Sequence, residues 1–122
     1  MKYRIQFHSK RGYVKTVVNE TITSGLGEQI AEETVKIAQE NNSNLLLIDV
    51  RKVNIEANAH EIYDLLGRLG DKGNLSRPHM LAFVVAEDID DPEFFETALV
   101  DTGCDVRVFD RLKDAEEWLV SN

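Results

Sequence analysis

Apolar positions along this chain follow two patterns: short runs dense in β-branched and aromatic residues, and longer stretches where they recur every three or four residues. The first pattern opens the sequence. Residues 2–8 and 13–19 are rich in Tyr, Ile, Phe and Val and are separated by Ser9-Lys10-Arg11-Gly12, which predicts an antiparallel hairpin. Residues 26–41 place Leu26, Ile30, Ile37 and Ala38 on one side and Glu32, Lys36 and Glu40 on the other, predicting an amphipathic helix capped by Thr23 or Ser24. LLLIDV at 45–50 is apolar without alternation apart from Asp49, the pattern of a central strand covered on both faces.

The second half repeats the theme. Asn58 and Glu61 have the spacing of a helix start, and Ala59, Ile62, Leu65, Leu66 and Leu69 recur at helical intervals until Gly70. A polar loop from Asp71 to His79 leads into MLAFVVA at 80–86, a second continuous apolar strand expected beside the first. Asp91-Pro92-Glu93 supplies a cap, a proline at the first helical position and an acid in the first turn of a third helix closing at Gly103. Residues 105–109 form a short strand, and Asp110 is the expected cap of a last helix burying Leu112, Ala115, Trp118 and Leu119. The order predicts an α/β fold: a mixed five-stranded sheet with an N-terminal antiparallel hairpin, parallel βαβ units behind it and about four helices. No repeat, linker or low-complexity tract divides residues 1–122, which are expected to form a single domain.

Composition narrows the class. The chain has 122 residues, of which 43% are apolar, enough for one hydrophobic core without metals or disulfides. Its one cysteine, Cys104, rules out an intramolecular disulfide, which suits a reducing, cytoplasmic setting. The start of the chain has no apolar core of the signal-peptide kind, and the longest apolar run is Met80 to Ala86, so membrane insertion is not expected. A net charge of −8 disfavours nucleic acid as a partner. The best basic cluster, Arg68, Lys72 and Arg77, is interrupted by Asp71 and lacks interleaved aromatic residues.

Several motifs imitate chemistry. Gly25-Leu26-Gly27 opens a helix after a strand, with Asp49 at the end of the next strand, but Ile30 stands where a dinucleotide fingerprint needs its third glycine. His60 and Asp64 share a helix face without the second histidine of a zincin. The carboxylates from Glu87 to Glu93 lack the glycine of a calcium loop and contain Pro92, so they read as a solvated helix approach. Cys104 precedes a short strand and is expected to act as a small apolar side chain. Of the adjacent Phe94 and Phe95, one is expected to face the core and the other partly outward. No nucleophile elbow is present, and neither a cofactor nor a bound metal is expected.

The strand and helix order, with LLLIDVRKVNIEANAHEIYDLL in the middle and FFETALVDTGCDVRVFDRLKDAEEWL at the end, resembles the SpoIIAA-like family. That family is similar to STAS domains of anti-sigma factor antagonists and, in fold, to CRAL-TRIO lipid-transfer domains. The resemblance implies a small module that binds a partner or ligand and catalyses nothing. In regulatory antagonists a phosphorylatable serine begins the helix after the central strand, whereas the matching positions here are Asn58 and Ala59, which carry no hydroxyl. A phosphoserine switch is therefore not expected.

The same strand end and helix start, Asp49, Arg51, Asn54, Asn58 and His60, form the candidate recognition surface, at the carboxyl end of a parallel strand where ligands of open α/β sheets gather. The leading expectation is a non-catalytic protein-binding or regulatory module with an unidentified protein partner. The alternatives are binding of a lipid or other small apolar ligand, and an enzyme of unrecognised type. If helices cover only one face of the central strands, a second copy must cover the other, giving a homodimer.

Overall fold

The computed structural model describes residues 3–19, 24–53, 80–86 and 105–120. Five strands form one sheet in the order β1-β2-β3-β4-β5: β1 (Tyr3–His8), β2 (Tyr13–Val18), β3 (Leu45–Asp49), β4 (Met80–Val84) and β5 (Asp105–Phe109). β1 and β2 pair antiparallel, with Tyr3 opposite Val18 and His8 opposite Tyr13. Every later pairing is parallel. The mixed sheet with an antiparallel edge is thus present, and the two continuous apolar runs are neighbours in it. Two helices lie among the described residues, α1 (Ser24–Glu40) and α2 (Leu112–Val120). The helices expected from Asn58 to Gly70 and from Asp91 to Gly103 fall outside the described residues.

The hairpin closes where the His8 carbonyl accepts the N–H groups of Arg11 and Gly12, at 3.2 and 2.7 Å. Gly12 has φ +76°, a left-handed conformation that glycine adopts without a Cβ penalty. Its carbonyl accepts the Ser43 hydroxyl at 2.7 Å, tying the hairpin turn to the loop after α1. That loop ends the helix through paired bonds: Ser43 N–H to Ala38 C=O at 2.8 Å and Asn42 N–H to Gln39 C=O at 3.2 Å, with Asn42 at φ 53°. This is the Schellman pattern, with asparagine in the place glycine usually takes.

Alternation along the strands sorts two cores. One holds Val14, Val18, Leu46, Ile48, Leu81 and Phe83 with Leu26, Ile30, Ala31, Val35 and Ala38 of α1. The buried stripe of α1 includes Ala31, Thr34 and Val35, a fuller set than the four positions predicted. Thr34 is tolerated there because its hydroxyl meets that of buried Thr16 on β2 at 2.9 Å. The other core holds Tyr13, Leu47, Ala82 and Val84 with Ala115 and Leu119 of α2, while half-buried Leu112, Phe109 and Trp118 pack around it. The Arg107 guanidinium lies over the Trp118 ring, 5.4 Å from its centre.

Two details differ from expectation. At the start of α2 the Ala115 N–H bonds the Arg111 carbonyl at 3.2 Å, which puts the cap on Arg111, one residue beyond Asp110. More consequentially, α1 and α2 belong to opposite faces of the sheet, and Leu46, Leu47, Ile48, Ala82, Phe83 and Val84 are each fully buried within one chain. The one-sided cover that would call for a second copy is not met. No helix among the described residues is long and apolar enough to cross a membrane.

Candidate functional site

β3 ends in a turn that buries its apolar residues and lifts its cations. The Val50 N–H bonds the Val84 carbonyl at 2.9 Å, continuing the β3–β4 ladder by one residue, and Val53 N–H returns to the Val50 carbonyl at 3.0 Å. Val50 and Val53 are buried in the α1-side core, whereas Arg51 and Lys52 at the turn's apex are exposed. Alternation turns Asp49 away from Val50, and the carboxylate is only 3% exposed.

Arg51 supplies the hydrogen bonds that a buried carboxylate needs. Its backbone N–H and its Nε–H both donate to Asp49 Oδ1, at 3.1 and 3.0 Å, and Nη2 donates to Oδ2 at 2.8 Å. The pair is a two-pronged ion pair with one member buried and the other 43% exposed. The side-chain hydrogen bonds that Arg51 donates to Asp49 raise the Arg51 pKa above its ordinary value, burial opposes them, and the carboxylate's charge adds to the rise. A guanidinium fixed in this way is a permanent charge with a set direction, chemically suited to orienting an anion or carbonyl and not to shuttling protons. Of the predicted surface, the structure brings Asp49 and Arg51 together and gives them different roles, Asp49 beneath and Arg51 outside. Asn54, Asn58 and His60 lie outside the described residues, as do the His60–Asp64 pair, the Glu87–Glu93 run, Phe94, Phe95 and Cys104.

Gly25 and Gly27 lie in the first turn of α1 itself, as expected of residues easing a helix entry. Among the described residues, no three His, Cys, Asp or Glu side chains are grouped to hold a metal ion.

Two concave regions lie elsewhere. An open groove of about 770 Å³ runs between α1 and β1. Ile5, Leu26 and Ile37 supply its apolar lining, and Arg4, Glu33, Lys36 and Glu40 bring charge to it. Tyr3 bridges that groove: its hydroxyl donates to Glu33 and accepts from Gln29 Nε2 at 2.8 Å. Burial, then the Glu33 contact, raises the Tyr3 pKa.

A second cleft, about 470 Å³, lies at the hairpin end of the sheet and is bordered by His8, Ser9, Lys10, Arg11, Tyr13 and Glu116. The His8 and Tyr13 rings stack with centres 4.7 Å apart and planes 6° from parallel. The Tyr13 hydroxyl donates to Glu116 of α2, and burial, reinforced by that carboxylate, raises the phenol's pKa well above its ordinary value despite the opposing charge of Arg11. His8 Nε2 is buried without a hydrogen-bond partner among the described residues.

This cleft was not anticipated from the sequence. The four-residue turn does set His8 opposite Tyr13, a signal available in principle, but Glu116 arrives from 103 residues away in sequence. No protein-family model matches the chain, and no curated protein is significantly similar to it.

Proposed function

We propose that the chain is a non-catalytic protein-binding or regulatory module of the SpoIIAA-like type, and that it recognises its partner through the turn after β3. Arg51 is the central contact and Lys52 an accessory one, in a surface that extends in sequence through Asn54, Asn58 and His60. Support comes from one observation above the others, the Asp49–Arg51 fork. A buried carboxylate holds an exposed guanidinium at the carboxyl end of a central parallel strand, so part of the entropy of ordering a long side chain is lost on folding and not on binding. The engaged Nε–H and Nη2–H leave other donors of the fork directed to a partner, and a carboxylate or a row of backbone carbonyls matches them. With Asn58 and Ala59 at the position of the family's phosphorylated serine, the surface is read as constitutively competent.

The test is quantitative capture from host extract by wild type, Arg51→Lys and Arg51→Glu, each first shown to be folded. A partner of this surface should be lost at least tenfold by Arg51→Glu, about 1.4 kcal/mol or more, and reduced by Arg51→Lys, which keeps the charge without the fork. Equal capture by wild type and Arg51→Glu would remove this surface from consideration. Binding of a small apolar ligand is the second reading, and the groove between α1 and β1 is the feature that favours it. Native mass spectrometry separates the two, since a partner chain adds kilodaltons and a solvent-extractable ligand adds hundreds of daltons.

A further inference from the structure

We propose that the cleft at the hairpin end is a separate small-molecule site, suited to a planar aromatic carboxylate that stacks on His8 and is held at its anionic end by Lys10 and Arg11. The stacking surface follows from the sheet order. Tyr13 on β2 is 1% exposed, with the sheet and α2 around it and His8 against one side. His8 sits on β1, the edge strand of the sheet, so among the described residues no further strand covers the side of its ring turned away from Tyr13. It is half-buried and borders the cleft. A planar ligand placed there would extend the Tyr13–His8 stack by one ring.

The polar groups around that platform suit an anion. Lys10 and Arg11 both project from the turn as exposed cations, a local positive pair on a chain of net charge −8. Ser9 adds a hydroxyl from the same turn. Among the described residues Glu116 is the one carboxylate bordering the cleft, and it already accepts the Tyr13 hydroxyl. Two cations against one engaged carboxylate leave the cleft positive. The volume, about 470 Å³, falls in the size class of small-molecule sites and accommodates one or two fused rings. The hydrogen bonds of the Gly12 amide to His8 and of Ser43 to Gly12 fix the turn that carries both cations, so the site is largely preformed.

The test is an NMR titration of the whole chain with 2-naphthoate, with cyclohexanecarboxylate as a non-planar carboxylate and inorganic phosphate as an anion without a ring. Naphthoate should give saturable shifts at His8 and Tyr13 and bind at least tenfold more tightly than either control. His8→Ala should weaken it at least tenfold, His8→Phe should restore much of the loss, and Lys10→Ser/Arg11→Ser should weaken it comparably. Those two turn residues are exposed, so the double variant keeps the test decisive if His8→Ala fails to fold. Absence of saturable shifts, equal affinity for all three anions, or naphthoate affinity untouched by the turn variant would each overturn the proposal.

Discussion

Removing Arg51 should destabilise the protein more than neutralising Asp49, because the two substitutions strand charges in different surroundings. Arg51→Ala leaves the Asp49 carboxylate, 3% exposed, with the backbone N–H of residue 51 as its remaining partner from that residue. Breaking a fully buried ion pair from one side costs about 3–5 kcal/mol. Arg51 is 43% exposed, so water already screens the pair and can partly replace the lost donors, which reduces the expected cost to about 1–2 kcal/mol. Asp49→Asn strands the guanidinium, which can turn into solvent, and the new amide keeps an oxygen for the backbone N–H; about 0.5–1 kcal/mol is expected. The double variant contains no stranded charge and should be less destabilised than the two losses combined, with a coupling of about 1 kcal/mol. Urea unfolding at neutral pH measures all four proteins, and unchanged m-values license the comparison. Additivity within about 0.3 kcal/mol would refute the claim that the fork stabilises both members, and a larger loss in Asp49→Asn than in Arg51→Ala would show that another group holds the carboxylate.

Three further outcomes follow from the packing. Thr34→Val should cost about 1–3 kcal/mol because it strands the fully buried Thr16 hydroxyl, while Thr16→Val/Thr34→Val together should return to within about 1 kcal/mol of wild type; thermal melts of the three variants decide it. Asn42→Gly should stabilise by up to about 1 kcal/mol and Asn42→Ala should destabilise by about 1 kcal/mol, since position 42 needs φ 53° to close the Schellman turn; a reversed order in urea unfolding would refute the assignment. The Tyr13 phenol, its pKa raised first by burial and then by Glu116, binds its proton more tightly folded than unfolded. Its contribution to stability is therefore complete below the unfolded value of about 10 and is lost as pH rises above it, so Tyr13→Phe should flatten the alkaline fall in urea midpoint.

The parts of the fold legible in the sequence were those set by local pattern. LLLID and MLAFV are apolar at consecutive positions because both faces are buried, and that placed β3 and β4 side by side at the centre. Ser9 to Gly12 announced the hairpin through turn chemistry that the left-handed Gly12 makes specific. Of the α1 stripe, Ala31 and Val35 were legible as apolar residues beside Ile30 and Ala38, whereas Thr34 is polar by type and only the distant Thr16 makes it acceptable in the core. The same limit applied to function. Arg51 was legible because it follows the carboxyl end of a central parallel strand, whereas the burial of the Asp49 carboxylate beside it depends on its place within the sheet. The His8–Tyr13–Glu116 cluster joins the first strands to the last helix, a juxtaposition that periodicity does not encode.

The two proposed sites lie toward opposite ends of the sheet, and this makes their failures separable. Tyr13 begins β2 beside the hairpin turn, and Val17, four residues on, pairs with Asp49 at the end of β3. At the rise of a strand, those positions are about 13 Å apart, with buried Thr16 and Val14 between them. Among the described residues none borders both sites, so substitutions at the two ends should act independently. Arg51→Glu should leave naphthoate affinity within about twofold of wild type, and His8→Ala should leave partner capture unchanged. Measuring both readouts on both variants distinguishes two local sites from one shared conformational change. If Arg51→Glu weakens the small ligand tenfold, residue 51 and the hairpin cleft are coupled by about 1.4 kcal/mol, and any factor by which the ligand then changes partner affinity must equal the factor by which the partner changes ligand affinity. Partner affinity measured with and without saturating naphthoate would then detect a ligand-regulated module, while an unchanged value would establish that the loss came from damage to the fold.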